Sequence, residues 1–199
     1  MIWDRVFELA WESLRAQSYP VGAVLVDPAG EITHSGRNRA AEQSAPPGRL
    51  FGTTIAHAEL DVLGQLPQAE YDGHTLYSSL QPCLMCLTAL RLVGISQVVH
   101  AGADPLWNAT DDVPAVLPEL IAGQWPRRTG PADGFAGSWG SLLPAMWLVA
   151  YDPESAAEPS DLMPWATIER ARRCVAGGVL ECASAKEAYQ LAASLSRSD

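Results

Sequence analysis

The stretch LYSSLQPCLMCLTALRLVGISQVVHA, residues 76–101, carries most of what the chain says about its fold. Leu76 to Leu80 reads as a strand, Cys83 to Val93 as a helix and Gln97 to Ala101 as a second strand. Pro82 suits a helix entry, because the N–H it lacks would have no partner in the first turn. Upstream, Trp3, Val6, Phe7, Ala10, Trp11 and Leu14 recur at helical spacing within residues 2–16, and Tyr19-Pro20 stops that helix. Val21 to Val26 is a short apolar run; the turn residues Asp27-Pro28-Ala29-Gly30 follow, and Ile32 to Gly36 returns as the second arm of a hairpin. Ser44 to Gly52 is a Pro/Gly-punctuated loop, and His57 to Leu66 a further helix ended by Pro67. Strands and helices alternating at these lengths imply an α/β layered fold with a mixed sheet.

Beyond Asp104 the pattern loosens. Residues 104–140 are rich in Pro, Gly and Trp, Met146 to Tyr151 reads as a strand, and 161–176 and 184–196 read as helices. Five of the seven tryptophans, Trp107, Trp125, Trp139, Trp147 and Trp165, fall in this part, and each needs burial or a partner. The division expected is therefore a core over 1–103 and an extension over 104–199 packed on it.

At 199 residues the chain is one domain, or one domain with an elaboration. Its net charge of −10 splits as six Lys/Arg against ten Asp/Glu up to residue 103 and seven against thirteen afterwards, so neither part is a basic module. That balance weighs against nucleic acid as a partner, since gripping a phosphate backbone takes a cationic surface. Arg170, Arg172 and Arg173 are interrupted in character by Glu169 and read as one solvated helix face. The longest apolar run, Leu142 to Tyr151, has ten residues and contains Pro144, too short for a membrane span. Asp4, Glu8 and Glu12 do not suit a secretory signal, and four cysteines are too few for a disulfide scaffold, so the setting expected is a reducing cytoplasm.

One constellation carries chemistry: His57-Ala58-Glu59, followed by Pro82-Cys83-Leu84-Met85-Cys86. A catalytic zinc takes three protein ligands and keeps one position for water. His57, Cys83 and Cys86 supply one imidazole and two thiolates. Both sets lie at or near the start of an expected helix, where unpaired N–H groups and the positive dipole end favour thiolates. Glu59, two residues from a ligand, is free to face a zinc-bound hydroxide and to carry its proton to a ring nitrogen and then to the leaving amine. An isolated C-x-x-C also fits a redox pair or a structural zinc. A structural site wants a fourth donor, and the remaining candidates are poor. Cys174 and Cys182 lie far along the chain among apolar residues and read as packing cysteines. His34, His74 and His100 lie in or beside expected strands and read as surface or internally satisfied histidines.

The H-x-E…P-C-x-x-C pattern is the signature of zinc deaminases, and at these residues the chain resembles the cytidine/deoxycytidylate deaminase superfamily, in the branch whose first ligand is His. That branch includes guanine, fungal-type cytosine, deoxycytidylate and tRNA adenosine deaminases. The similarity runs over about residues 1–103, through Pro20 to Val26, Gly36-Arg37-Asn38-Arg39, the His57 motif, Thr75-Leu76-Tyr77 and Ile95 to Gly102. It implies a three-layer fold, a central mixed five-stranded sheet flanked by helices, assembled as a homodimer or larger homo-oligomer. It implies zinc on His57, Cys83 and Cys86, Glu59 as proton shuttle, Asn38 as a hydrogen-bonding partner of substrate, and the main-chain N–H groups of Ala58 and Cys83 beside the reacting centre. Many relatives carry Glu where this chain has Gln81, and the chain after Asp104 matches none of those branches. Trp107, shortly after the last core strand, is the candidate for stacking on a ring, with an ordinary core Trp as the alternative.

The function expected is zinc-dependent hydrolytic deamination of a small amino-substituted heterocycle, a nucleobase, nucleoside or analogue, with release of ammonia. A free purine or pyrimidine base is the first choice. The alternatives are a tRNA or other polynucleotide deaminase and, from another class, a non-catalytic zinc-stabilised binding protein; the presence of Glu59, which a structural site does not need, argues against the last.

Overall fold

The structure, a computed structural model, describes residues 1–160 and 163–195. Helix α1 (Ile2–Arg15) leads into the hairpin β1 (Gly22–Val26) and β2 (Ile32–Arg37), then α2 (Ala58–Leu63), β3 (Thr75–Leu80), α3 (Leu84–Val93) and β4 (Gln97–Gly102). Two 3-10 turns, Pro105–Asp111 and Val113–Val116, lead to the short α4 (Glu119–Ala122) and to β5 (Arg127–Thr129). Helices α5 (Gly134–Tyr151), α6 (Trp165–Ala176) and α7 (Ala185–Leu195) complete the chain.

The five strands form one mixed sheet in the order β2-β1-β3-β4-β5. β1 is antiparallel to both β2 and β3, whereas β3, β4 and β5 run parallel. Alternation along β1 shows how the layers are built, since successive strand side chains point to opposite faces. Val24 and Val26 pack on Val6 and Leu9 of α1, while Ala23 and Leu25 join the cluster of Val62 from α2 and Leu87 and Leu90 from α3. Helices therefore cover both faces, giving the three-layer α/β architecture expected from the sequence.

On the α1 side a large core joins Phe7, Trp11 and Leu14 to Trp139, Leu142, Leu143 and Met146 of α5, and to Ile168, Ala171 and Ala188 of the last two helices. Here one expectation fails. Met146 to Tyr151 is not a strand but the end of the 18-residue helix α5. The buried Trp139, Leu142, Leu143 and Met146 sit at i, i+3, i+4 and i+7, a helical stripe of which only Met146 falls within the segment expected as a strand. Pro144 lies within that helix and wastes one backbone hydrogen bond, a local cost that burial of the stripe outweighs. The fifth strand is instead the three-residue β5, too short to show periodicity. Helix α6 starts at Trp165, and part of the helix expected over 161–176 lies outside the described residues, as does Ser196 of the last one.

Helix α5 reaches the sheet at a glycine pair. A Cβ added at Gly102 would lie 2.4 Å from the backbone of Gly140, and one added at Gly140 would lie 2.4 Å from the backbone of Gly102. That close approach brings α5 onto the end of β4, beside the carboxyl ends of the parallel strands, where open α/β sheets bind their ligands.

Candidate active site

The two motifs meet because two helices start at one place. His57 is the N-cap of α2 and Cys83 the N-cap of α3, both with extended backbone, and Cys86 lies in the first turn of α3. Their donor atoms form a small triangle: Cys83 Sγ to Cys86 Sγ 3.6 Å, Cys83 Sγ to His57 Nδ1 3.7 Å and Cys86 Sγ to His57 Nδ1 3.5 Å. A tetrahedral zinc with ordinary bond lengths would hold its sulfurs about 3.8 Å apart and each sulfur about 3.5 Å from the nitrogen. The triangle fits that ion on every edge. Among the described residues, this is the group of His, Cys, Asp and Glu side chains with the spacing to hold a metal.

The electrostatics show three donors competing for protons in a confined space. The hydrogen bond with Cys86 brings the Cys83 thiol down to about 4, with burial opposing. The same hydrogen bond and burial push Cys86 well above the usual thiol range. The Cys83 hydrogen bond raises His57, whose ring also bonds the main chain of Thr54. A divalent cation at this point would resolve the competition by taking two thiolates and a neutral imidazole.

Glu59 is only 3% exposed, and burial raises its carboxyl above the usual range. Ser78 Oγ donates to its Oε1 at 3.1 Å, and its Oε2 lies 3.5 Å from Cys86 Sγ. The carboxyl is thus held against the triangle without belonging to it. Asn38 is 4% exposed; its Oδ1 accepts the Ala40 N–H at 2.9 Å, which fixes the amide rotamer. Both residues line one cavity of about 380 Å³, together with His57, Cys83, Gln81 and Trp107. Ala58 is not among the lining residues. It is wholly buried and packs with Val62 and Leu87, although its N–H is at the start of α2, where helical N–H groups lack intrahelical partners.

Several contributors were not apparent from the sequence. Asp61, also in the first turn of α2, is a fully buried carboxylate. It accepts the N–H groups of Arg37 and Leu50 at 3.2 Å and the Arg49 guanidinium at 3.3 Å, tying the loop between β2 and α2 to the helix. Asn38 and His57 stand at the two ends of that loop. Gln81 is buried, and its Oε1 accepts the Asp104 N–H at 3.2 Å, joining the β3–α3 junction to the exit of β4. Asp104, Leu106, Tyr19 and Trp147 complete much of the wall. Burial raises both the Asp104 carboxyl and the Tyr19 phenol. The sequence holds no local signal for Trp147, which reaches the cavity from α5. The other histidines and cysteines stand apart: His100 is buried with Nδ1 3.0 Å from the Gly102 carbonyl, and Cys174 and Cys182 are buried in the α1–α5 core.

A three-layer α/β fold with two helix N-termini presenting His-x-Glu and Pro-Cys-x-x-Cys defines a deaminase-type centre. The chain belongs to the cytidine and deoxycytidylate deaminase family, whose zinc-binding region matches residues 2–101. It is 33% identical over 104 residues to a tRNA-specific adenosine deaminase of Bacillus subtilis, covering 50% of this chain and 59% of that protein. It is 34% identical over 121 residues, 59% of this chain, to a tRNA(Ile)-lysidine synthase of Deinococcus deserti, but spans only 20% of that protein. Among solved structures, one from a study of tRNA:A34 deaminases superposes with a TM-score of 0.52 at 25% identity, covering 64% of this chain and 94% of that one. Another, in complex with 2,6-diaminopurine, shares the fold at 22% identity and a TM-score of 0.53, over 75% of this chain and 81% of its own. Among the described residues no helix is long and apolar enough to cross a membrane.

Proposed function

We propose that this protein is a zinc-dependent hydrolytic deaminase of a small amino-substituted heterocycle, exchanging a ring-bound amine for oxygen from water and releasing ammonia. The observation that carries the reading is the His57–Cys83–Cys86 triangle with a buried, unligated carboxyl beside it at the floor of a small cavity. His57, Cys83 and Cys86 would hold the zinc, which supplies water activated at neutral pH. Glu59 takes one proton from the attacking water and gives it to the ring nitrogen. It then takes the second from the hydroxyl now on the ring carbon and gives it to the amine, so that the C–N bond breaks, ammonia leaves and the ring keeps the oxygen as a carbonyl. The raised affinity of Glu59 for a proton, caused by burial, suits an acid that must be reloaded in each turnover. Asn38 directs its amide donors to the ring, since its oxygen is occupied by Ala40. Trp107 offers an aromatic face in the same wall.

The cavity also supports a small, uncharged or cationic substrate. Its lining contains the carboxyls of Glu59 and Asp104 and, among the described residues, no Lys or Arg. Apart from the metal itself, a phosphate entering there would meet carboxyls and no cationic Lys or Arg side chain. In this reading residues 104–199 are an extension on a deaminase core over 1–103 that finishes the pocket. The four free cysteines agree with a reducing, cytoplasmic setting. Assembly as a homodimer or larger oligomer is part of this reading, and Leu92 at the end of α3 and Leu120, whose carbonyl accepts from Arg91, are exposed apolar residues available to it.

A second reading, deamination of adenosine in tRNA, is favoured by the relatives of that name. The test is ammonia release by zinc-loaded protein across aminopurines, aminopyrimidines, their nucleosides and aminotriazines, beside a tRNA anticodon hairpin. Turnover of a small ring, with weak RNA binding that vanishes in moderate salt, supports the first reading. Turnover of the hairpin alone replaces it with the second.

A further inference from the structure

The wall supplied by α5 bears on which substrates can enter. Trp147 lines the cavity and is partly exposed, so it stands between the interior and solvent. Three contacts hold it there. Its Nε1 donates to the Gln17 carbonyl at 2.9 Å, Tyr19 meets its ring edge-on at a centroid distance of 5.3 Å, and Tyr151, one turn on, lies at 6.4 Å. Its helix cannot swing away cheaply, because Leu143 and Met146 on the same element are wholly buried against α1 and its neighbours.

The partner of that indole is itself unusual. Gln17 has φ 61, the one non-glycine residue with positive φ among those described, a conformation that strains an L side chain. The turn places three groups in register: the Gln17 carbonyl meets Trp147, the Ser18 hydroxyl accepts the Ala41 N–H at 3.1 Å, and Tyr19 enters the cavity. One strained turn thus ties the α5 wall to the segment that carries Asn38. Strain of this kind persists where the surrounding contacts hold it, and it gathers at binding sites.

We infer that Trp147 is a specificity-determining residue: pinned by Gln17 and Tyr19, it closes the route that a base still attached to a nucleic-acid strand would need, and leaves room for a free ring or its nucleoside. The inference rests on the proposed function and names what enforces its substrate class. A strand-borne base must bring its sugar and flanking phosphates to the mouth of the pocket. There it would meet a fixed indole and the Asp104 carboxyl, with no cationic side chain in the lining to offset the phosphates. Exclusion by a built-in obstacle is a usual way to separate two ligands that share a reacting group.

The experiment uses whichever aminated ring the zinc-loaded wild type turns over fastest, offered as the free base, as its nucleoside and within a short single-stranded oligonucleotide. For Trp147→Ala the ratio of kcat/KM on the oligonucleotide to that on the free base should rise by about tenfold or more, mainly through KM. Trp147→Phe, which keeps a ring but loses the donor to Gln17, should raise it by about threefold, and it decides the matter should the alanine variant not fold. An unchanged ratio in the folded variants, or a wild type that already favours the oligonucleotide over the free base, overturns the inference. A wild type inert on every small ring overturns the proposed function, and this inference with it, whereas an active wild type with unmoved ratios overturns this inference alone.

Discussion

The cavity has two sides of different origin. One side, with His57, Glu59 and Cys83, is made of short-range motifs at two helix N-termini. The other joins Leu106 and Trp107, in the 3-10 turn after β4, to Trp147 on α5, some forty residues further along the chain and carried on the helix that meets β4 at the glycine contact. The first side holds the groups that can perform chemistry. The second has none of these, yet it shapes what reaches them. The contrast suggests a division of labour in which changes on the motif side abolish turnover and changes on the extension side redirect or destabilise.

The sharpest way to break that contrast is at Glu59. Glu59→Ala should lower ammonia release by about 10³-fold, within the range that general acid–base groups supply, while zinc content measured by atomic absorption stays at the wild-type level. Cys86→Ser or His57→Ala should instead lose the metal together with activity. Stripping zinc from the wild type with a chelator should do the same reversibly and lower the melting temperature, because a bound ion stabilises only the folded state. If Glu59→Ala also lost zinc, the carboxyl would belong to the ligand set and the first contrast would collapse.

On the other side, Trp139→Ala should cost about 3–5 kcal/mol in denaturant unfolding, since the side chain is wholly buried between Trp11 and Tyr189. Zinc bound by protein that remains folded should be unchanged. Asn38→Ala should lower kcat/KM by about tenfold or more, the scale of one lost hydrogen bond in a buried site, and leave zinc content unaltered.

The smallest effect expected concerns pH. Burial holds His100 below the usual histidine value, so the folded protein binds fewer protons there than the unfolded chain. Stability from this site is present above the unfolded value of about 6.5 and is lost as pH falls through and below it. Urea unfolding between pH 7.5 and 5 should show this slope, and His100→Gln should flatten it.

Legibility followed the same division. The helix and strand from Leu76 to Ala101, the hairpin and the triangle could be read because their signals are local: alternation, a proline at a helix entry, cysteines three apart. That Asn38 would lie in the cavity was legible only through resemblance, since a lone Asn beside a strand otherwise reads as a turn residue. Trp107 was a candidate and does line the cavity, but Trp147 was hidden. Nothing in the sequence announces that Gly102 and Gly140 touch, and that contact is what carries α5 to the site. The same gap explains the error at Met146 to Tyr151. Its helical stripe begins at Trp139, and only Met146 of that stripe falls within those six residues. Asp61 carries no local signal for a related reason, because the burial of a carboxylate depends on distant partners, here Arg49 and the N–H groups of Arg37 and Leu50.

The claim beneath all of this is a three-donor zinc with a carboxyl held just outside its ligand set. Zinc-edge X-ray absorption on the loaded wild-type protein tests it most directly. Two sulfur scatterers at about 2.3 Å, one imidazole and one further light atom are the shell expected, and the same shell is expected in Glu59→Ala. A third sulfur, a second imidazole or a shell with no sulfur would contradict it.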